Sequence, residues 1–115
     1  MTPTECVQAQ LDAYNARDID RFCAEFSDDV RTYDLTTGAT LLEGAAAFRQ
    51  RYDELFRSNP GLHCTLVNRI VCGHIVIDEE HVRGVLPNDG IIHAVATYEV
   101  TGDRITRVWF VREQL

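Results

Sequence analysis

Asp34 is a carboxylate and so a candidate to carry a proton. It ends a run, Val30 to Asp34, that reads as a short strand just ahead of Thr36-Thr37-Gly38. Two jobs fit a carboxylate there. Asp starts turns by accepting hydrogen bonds from the backbone that follows it. A carboxylate enclosed by apolar walls instead has its pKa raised towards neutrality and can carry a proton between two carbons. An enolate made that way also needs hydrogen-bond donors for its oxygen. Tyr14 lies four residues after Gln10, on the same helical face. Tyr98 lies two after Ala96, on the same strand face. Such tyrosines serve equally well as core residues whose hydroxyls reach polar partners.

Other chemistries find less support. His63, His74, His81 and His93 fall on predicted strands or their ends, at spacings that match no metal signature, so no metal site is expected. His81 follows Glu79 and Glu80, which reads as a solvated edge. His93 alternates away from Ala94 and Ala96 and so meets solvent or a partner subunit. Arg69, Arg83, Arg107 and Arg112 read as paired surface charges, not an anion clamp. Cys6, Cys23, Cys64 and Cys72 form no C-x-x-C pair and read as reduced core residues. Ser27 and Ser58 sit at predicted helix ends, away from any G-x-S-x-G elbow. Gly-rich phosphate loops and dinucleotide fingerprints are absent, and no organic cofactor is expected.

The elements that must hold these residues are legible in outline. Thr2-Pro3-Thr4-Glu5 reads as a capping box opening a helix to about Ala16, with Cys6, Val7, Leu11, Ala13 and Tyr14 on its apolar side. Asp18 caps a second short helix with Ile19, Phe22, Cys23 and Phe26 inward, stopped by Asp28-Asp29. Thr40 to Leu42 is the strand returning from the turn after Asp34. Gly44 opens a third helix to about Arg57, carrying Ala47, Phe48, Tyr52, Leu55 and Phe56 on one side. Asn59-Pro60-Gly61 ends it, with Gly61 suited to a left-handed exit. Leu62 to Cys72, Ile75 to Leu86, Ile91 to Val100 and Ile105 to Arg112 then read as strands. Turns at Gly73, Pro87-Asn88-Asp89-Gly90 and Thr101-Gly102-Asp103 make them antiparallel neighbours.

Three helices with a hairpin and then a four-strand meander make an α+β order, with no alternation of strand and helix. In the third long strand, Ile92, Ala94, Ala96, Tyr98 and Val100 share the face that should meet the helices. Its two alanines leave room for close packing or a cavity wall. The other face, with Ile91, His93, Val95, Thr97 and Glu99, is half apolar and suits a dimer surface.

A chain of 115 residues is expected to form one domain, 1–115, large enough to bury roughly two thirds of its unfolded surface. Apolar content of 45% and charged content of 25% are those of a globular protein. A net charge of -7 with scattered basic residues opposes nucleic-acid binding. Met1 to Glu5 lacks a basic start and an apolar core, so no signal peptide is expected. No stretch approaches the ~20 apolar residues of a membrane span. A cytoplasmic protein without membrane contacts is the expectation.

Four short motifs in this order resemble the SnoaL-like and ketosteroid-isomerase-like branches of the nuclear transport factor 2-like superfamily. Tyr14-Asn15-Ala16-Arg17-Asp18-Ile19-Asp20 resembles the family's junction between helices one and two. Phe26-Ser27-Asp28-Asp29-Val30 resembles its entry to the first strand. Glu43-Gly44-Ala45-Ala46-Ala47-Phe48 resembles the start of helix three, and Gly102-Asp103-Arg104-Ile105-Thr106-Arg107-Val108 its last hairpin. Each is weak alone; together they span nearly the whole chain.

The resemblance implies a cone-shaped, cystatin-like fold: three helices packed on a strongly curved, mainly antiparallel sheet around a deep apolar pocket. It implies homodimers formed through the outer sheet face. It places Asp34 where isomerase-like members hold their general base, and Tyr52 on a tyrosine of the pocket network. The lining expected from it is Gln10, Tyr14, Tyr52, Ala96, Tyr98, Phe22, Phe48 and Phe110. The family's two strong oxyanion donors fall on Gln10 and Ala96, so the steroid reaction itself is in doubt, and Tyr14, Tyr98 or Gln10 must substitute. Three functions follow as expectations, because this fold hosts many chemistries. The first is an acid–base enzyme of the isomerase or cyclase kind acting on a small apolar molecule, with Asp34 as proton shuttle. The second is a non-catalytic binding or dimerising module, its interior filled by Phe22, Phe26, Phe48, Tyr52 and Trp109. The third is an epoxide-opening hydrolase, needing a water held between two carboxylates and an arginine in the pocket, for which no convincing second carboxylate is found.

Overall fold

In the computed structural model, residues 1–87 and 90–115 are described; of the turn expected at Pro87 to Gly90, Asn88 and Asp89 lie outside them. Helix α1 (Pro3–Ala16) begins with the capping box: the Thr2 hydroxyl accepts from the Glu5 N–H at 3.1 Å, and the Glu5 carboxylate accepts from the Thr2 N–H at 2.9 Å. It closes on Arg17 in the left-handed region (φ 51°). Asp18 then caps α2 (Ile19–Ala24) by accepting from the Arg21 N–H. Strand β1 (Phe26–Asp34) begins at Phe26 instead of Val30, so Phe26 and Ser27 are strand residues and not the end of a helix. Strand β2 (Thr40–Glu43) returns from the turn and leads into α3 (Ala45–Ser58), where Ala47 is exposed and Phe48 and Phe56 are buried.

Helix α3 does not exit through a left-handed glycine. Its cap is Asn59, at φ -131° and ψ 78°. The Asn59 amide donates back to the Leu55 carbonyl at 2.8 Å and accepts from the Leu86 N–H at 2.7 Å. The glycine that the packing requires here is Gly84. Gly84, at φ 81°, lies so close that a Cβ there would sit 2.1 Å from the Gly61 carbonyl oxygen.

Strands β3 (His63–Cys72), β4 (Ile75–Arg83), β5 (Ile92–Thr101) and β6 (Arg104–Gln114) complete one six-stranded sheet in the order β2-β1-β6-β5-β4-β3. Every pairing is antiparallel except β1 with β6. The register breaks between Thr32 and Tyr33, between Leu66 and Asn68 and between Glu99 and Val100, and such irregularities bend strands. The helices fill the concave side. Phe22 is the hub of that packing, with ring centroids at 5.0 Å from Phe26, 5.7 Å from Phe48, 4.8 Å from Tyr52 and 5.4 Å from Phe56. Asn15 ties α1 to the sheet: its amide donates to the Cys64 carbonyl at 2.9 Å and accepts from the Cys64 N–H at 2.8 Å.

Pairing fixes which side chains face inward. Across the sheet, Asp34, Phe110, Ala96, Asp78 and Arg69 stand in one row, and Arg112, Ala94, Glu80 and Leu66 in another. Ile92, Ala94, Ala96, Tyr98 and Val100 face the helices as the strand period requires. Trp109 does not enter the interior; it lies on the outer face, stacked on Tyr33 at 5.4 Å with the Arg107 guanidinium 5.7 Å from its ring. Cys72 is exposed and Cys23 half-buried, so only Cys6 and Cys64 are core cysteines. No described helix is long and apolar enough to cross a membrane.

Candidate functional site

Between α1, α3 and the inner sheet face lies a hollow of about 710 Å³, a size suited to a small organic molecule. Leu11, Phe22, Phe26, Leu42, Leu55, Val82, Val85, Ile92 and Phe110 give it apolar walls. Its polar groups are Gln10, Tyr14, Thr32, Asp34, Thr36, Arg51, Tyr52, Cys64, Glu80, Tyr98 and Arg112. A smaller hollow of about 330 Å³ lies beside Cys23, Ser27 and Arg49, where Arg49 pairs with Asp20.

The expected lining is placed unevenly. Gln10, Tyr14, Phe22, Tyr52, Tyr98 and Phe110 border the larger hollow, as does Asp34. Phe48 and Ala96 do not. Phe48, one helical turn before Tyr52 and with its ring centroid 4.7 Å from that of Tyr52, packs onto Phe22 and onto Phe26, whose ring centroid is 4.4 Å distant. Ala96 is fully buried between Phe110 and Asp78, its partners on either side.

Asp34 performs the turn-forming job. One carboxylate oxygen accepts from the Thr36 N–H at 2.8 Å and the Thr37 N–H at 3.2 Å. On the inner face it stands beside Phe110, at one wall of the hollow.

The carboxylate that sequence reasoning missed is Glu80. Far from lying on a solvated edge, it is 7% exposed and lines the hollow from β4. Burial and the neighbouring Asp78 charge push its carboxyl up to about 7, against donation from the Cys64 thiol and the pull of the Arg69 and Arg112 charges. A carboxyl so placed exchanges its proton readily near neutral pH.

Donors stand nearby. The Gln10 amide N–H donates to the Tyr98 hydroxyl oxygen at 3.3 Å, which leaves the Tyr98 proton free to point at a ligand. Burial pushes the Tyr98 and Tyr14 phenols well up, and Tyr52 up to about 12, so all three remain neutral donors. The Thr32 hydroxyl, on a residue 1% exposed, meets no partner among the described residues.

Asp78 and Arg69 form a second unit beside the hollow. Asp78 is fully buried and accepts two bonds from the Arg69 guanidinium, at 2.7 and 2.9 Å, while Arg69 also donates to Gln8 at 2.9 Å. Arg69 thus grips one carboxylate and lies outside the lining; it is paired as expected, but is mostly buried and not a surface charge. Arg107 is paired at the surface with Glu99. Arg112 borders the hollow, and among the described residues no carboxylate pairs with it. His93 lies on the outer face between Glu113 at 2.8 Å and Glu79 at 2.7 Å, which hold its imidazole above its usual pKa. Among the described residues no cluster of His, Cys, Asp and Glu is arranged to hold a metal ion.

Comparison with known proteins agrees with this architecture. The model of the SnoaL-like domain family matches residues 7–108. A solved cystatin-fold protein from Novosphingobium aromaticivorans is 27% identical, with a TM-score of 0.86 over 97% of this chain and 99% of that one. A proposed ketosteroid isomerase from Kribbella flavida superposes at a TM-score of 0.81 with 18% identity, over 98% of this chain and 78% of that one. A proposed polyketide cyclase from Sinorhizobium meliloti gives 0.79 with 19% identity, over 93% and 94%. No match to this chain was found among curated proteins. The fold is therefore the cystatin-like, nuclear transport factor 2-like one, and the chain belongs to the SnoaL-like domain family.

Proposed function

We propose that this protein is an acid–base enzyme of the isomerase or cyclase kind, moving a proton on a small, largely apolar molecule that bears a carbonyl group. The observation that supports this reading is Glu80: a buried carboxyl poised near neutrality, in an apolar hollow that also presents phenol donors. As carboxylate, Glu80 takes a proton from the carbon next to the carbonyl. The developing oxyanion accepts from the Tyr98 and Tyr14 hydroxyls, and the Glu80 acid returns the proton to a second carbon. Glu80 takes the role expected of Asp34, one of whose carboxylate oxygens is engaged by the turn after β1.

Solvent-deuterium incorporation next to the carbonyl of apolar cyclic ketones, followed by NMR, tests the proposal. Glu80→Gln should slow exchange by about 10²–10⁴-fold, the usual contribution of a general base. Asp34→Asn should leave most of it. The reverse ranking returns the role to Asp34, and no exchange with any ketone leaves the binding module as the reading. On the same family reading, the outer sheet face, with Ile77, Val95 and Trp109, is the contact between two copies. Light scattering on the purified protein would report a dimer, or a monomer that removes this part.

A further inference from the structure

The mouth of the hollow has a charge pattern that proton transfer does not require. All eleven basic residues of this chain are arginines, in a protein of net charge -7. Arg31, Arg49, Arg57, Arg69 and Arg107 are paired with carboxylates. Arg51 and Arg112 are not, among the described residues, yet both line the hollow. Both charges act on the same Tyr52 phenol, against the burial that raises its pKa. Arg112 is steadied by the Phe110 ring, whose centroid lies 6.0 Å from its guanidinium carbon.

Two exposed guanidinium groups over an apolar hollow match one kind of ligand. Each offers a planar fork of N–H donors suited to a carboxylate, and neither has to release a protein carboxylate first. Among the described residues, neither carboxylate of the lining pairs with them. Asp34, at the wall, gives one carboxylate oxygen to the N–H groups of Thr36 and Thr37, and Glu80 lies deep inside and is close to half-protonated at neutral pH.

We infer that the natural ligand is an amphiphilic carboxylic acid, its apolar body in the hollow and its carboxylate held at the mouth by Arg51 and Arg112. This deepens the function proposed above and rests on that hollow being the working site.

Isothermal titration with naphthylacetate and its primary amide, which share shape but not charge, tests it. The acid should bind about tenfold tighter than the amide, a difference of ~1.4 kcal/mol. In Arg51→Gln/Arg112→Gln that preference should vanish while the amide binds as before. Arg83→Gln, a change away from the hollow, should behave as the unaltered protein. Equal binding of acid and amide, or a preference that survives the double change, would overturn the inference and leave proton transfer standing. Binding of neither compound would overturn both the inference and the hollow as a ligand site.

Discussion

Glu80 and Arg112 stand on one row of the inner sheet face with only Ala94 between them. Two strand spacings separate their backbones by ~10 Å, and the alanine leaves the space between them open to the hollow. A carboxyl that is neutral or charged with equal ease thus faces a permanently charged guanidinium across the site. Burial outweighs that attraction, because the Glu80 carboxyl remains raised to about 7.

Stability should therefore depend on pH in an unusual direction. The folded state holds the Glu80 proton up to about 7, whereas the group's ordinary value is 4.5. Between those values the folded protein binds more protons than the unfolded chain, so this group makes stability fall as pH rises through that window, by about 3 kcal/mol. Glu80→Gln should remove this group's share of the fall. In urea unfolding at pH 8 the variant should be the more stable protein; equal stability at pH 8 and pH 5 in both proteins would contradict this.

The Arg69–Asp78 pair should behave as a buried ion pair whose partners depend on one another. Asp78→Ala leaves a mostly buried guanidinium without its carboxylate and should cost about 3–5 kcal/mol. Arg69→Met/Asp78→Leu should recover most of that loss, because both desolvation costs disappear together. A double variant as unstable as Asp78→Ala would mean that the pair is needed for packing in its own right.

Asp34 should prove separable into two properties. Asn supports the same turn with its side-chain oxygen, so Asp34→Asn should leave thermal stability nearly unchanged. Asp34→Ala removes the acceptor and should cost about 1 kcal/mol. Two variants of equal stability would show that the turn does not rely on the carboxylate.

His93 offers a pH signature of the same sign on the outer face, in a window that begins at 6.5. Its folded pKa is raised above 6.5, first by Glu113 and then by Glu79. The stability it contributes is complete below 6.5 and is lost as pH rises through the folded value. NMR of the ring nitrogens should find both protonated at pH 6.5. A neutral ring at that pH would show that the two carboxylates do not grip it.

The helices, their caps and the long strands were legible because periodicity and capping chemistry act locally. Thr2 with Glu5, and Asp18, mark their helix starts in the sequence and hold them in the structure. The inner face of β5 was equally plain, since Ala94, Ala96 and Tyr98 alternate with His93 and Thr97. Strand β4 was not. Val76, Asp78, Glu80 and Val82 alternate with Ile75, Ile77, Glu79 and His81, so each face carries two apolar and two polar residues and parity alone does not choose. The choice comes from pairing, which sets Glu80 beside Ala94.

Arg69 was hidden for a related reason. Simple alternation from Cys64 and Leu66 turns Arg69 outward. The register break between Leu66 and Asn68 inserts Val67 and reverses the parity, which brings Arg69 opposite Asp78. Nothing in the local sequence announces that insertion. The turn after Asp34, by contrast, was readable both ways, and the structure shows the carboxylate making it.

The account stands most directly on the acidity of one carboxyl. Carbon NMR of the labelled side-chain carboxyls, with Glu80 assigned by its absence in Glu80→Gln, would follow that group through a pH titration. A midpoint near 7 is the expected result. A midpoint near 4.5, the ordinary value for Glu, would contradict the account, because Glu80 would then be a fully charged group with no proton to give at neutral pH.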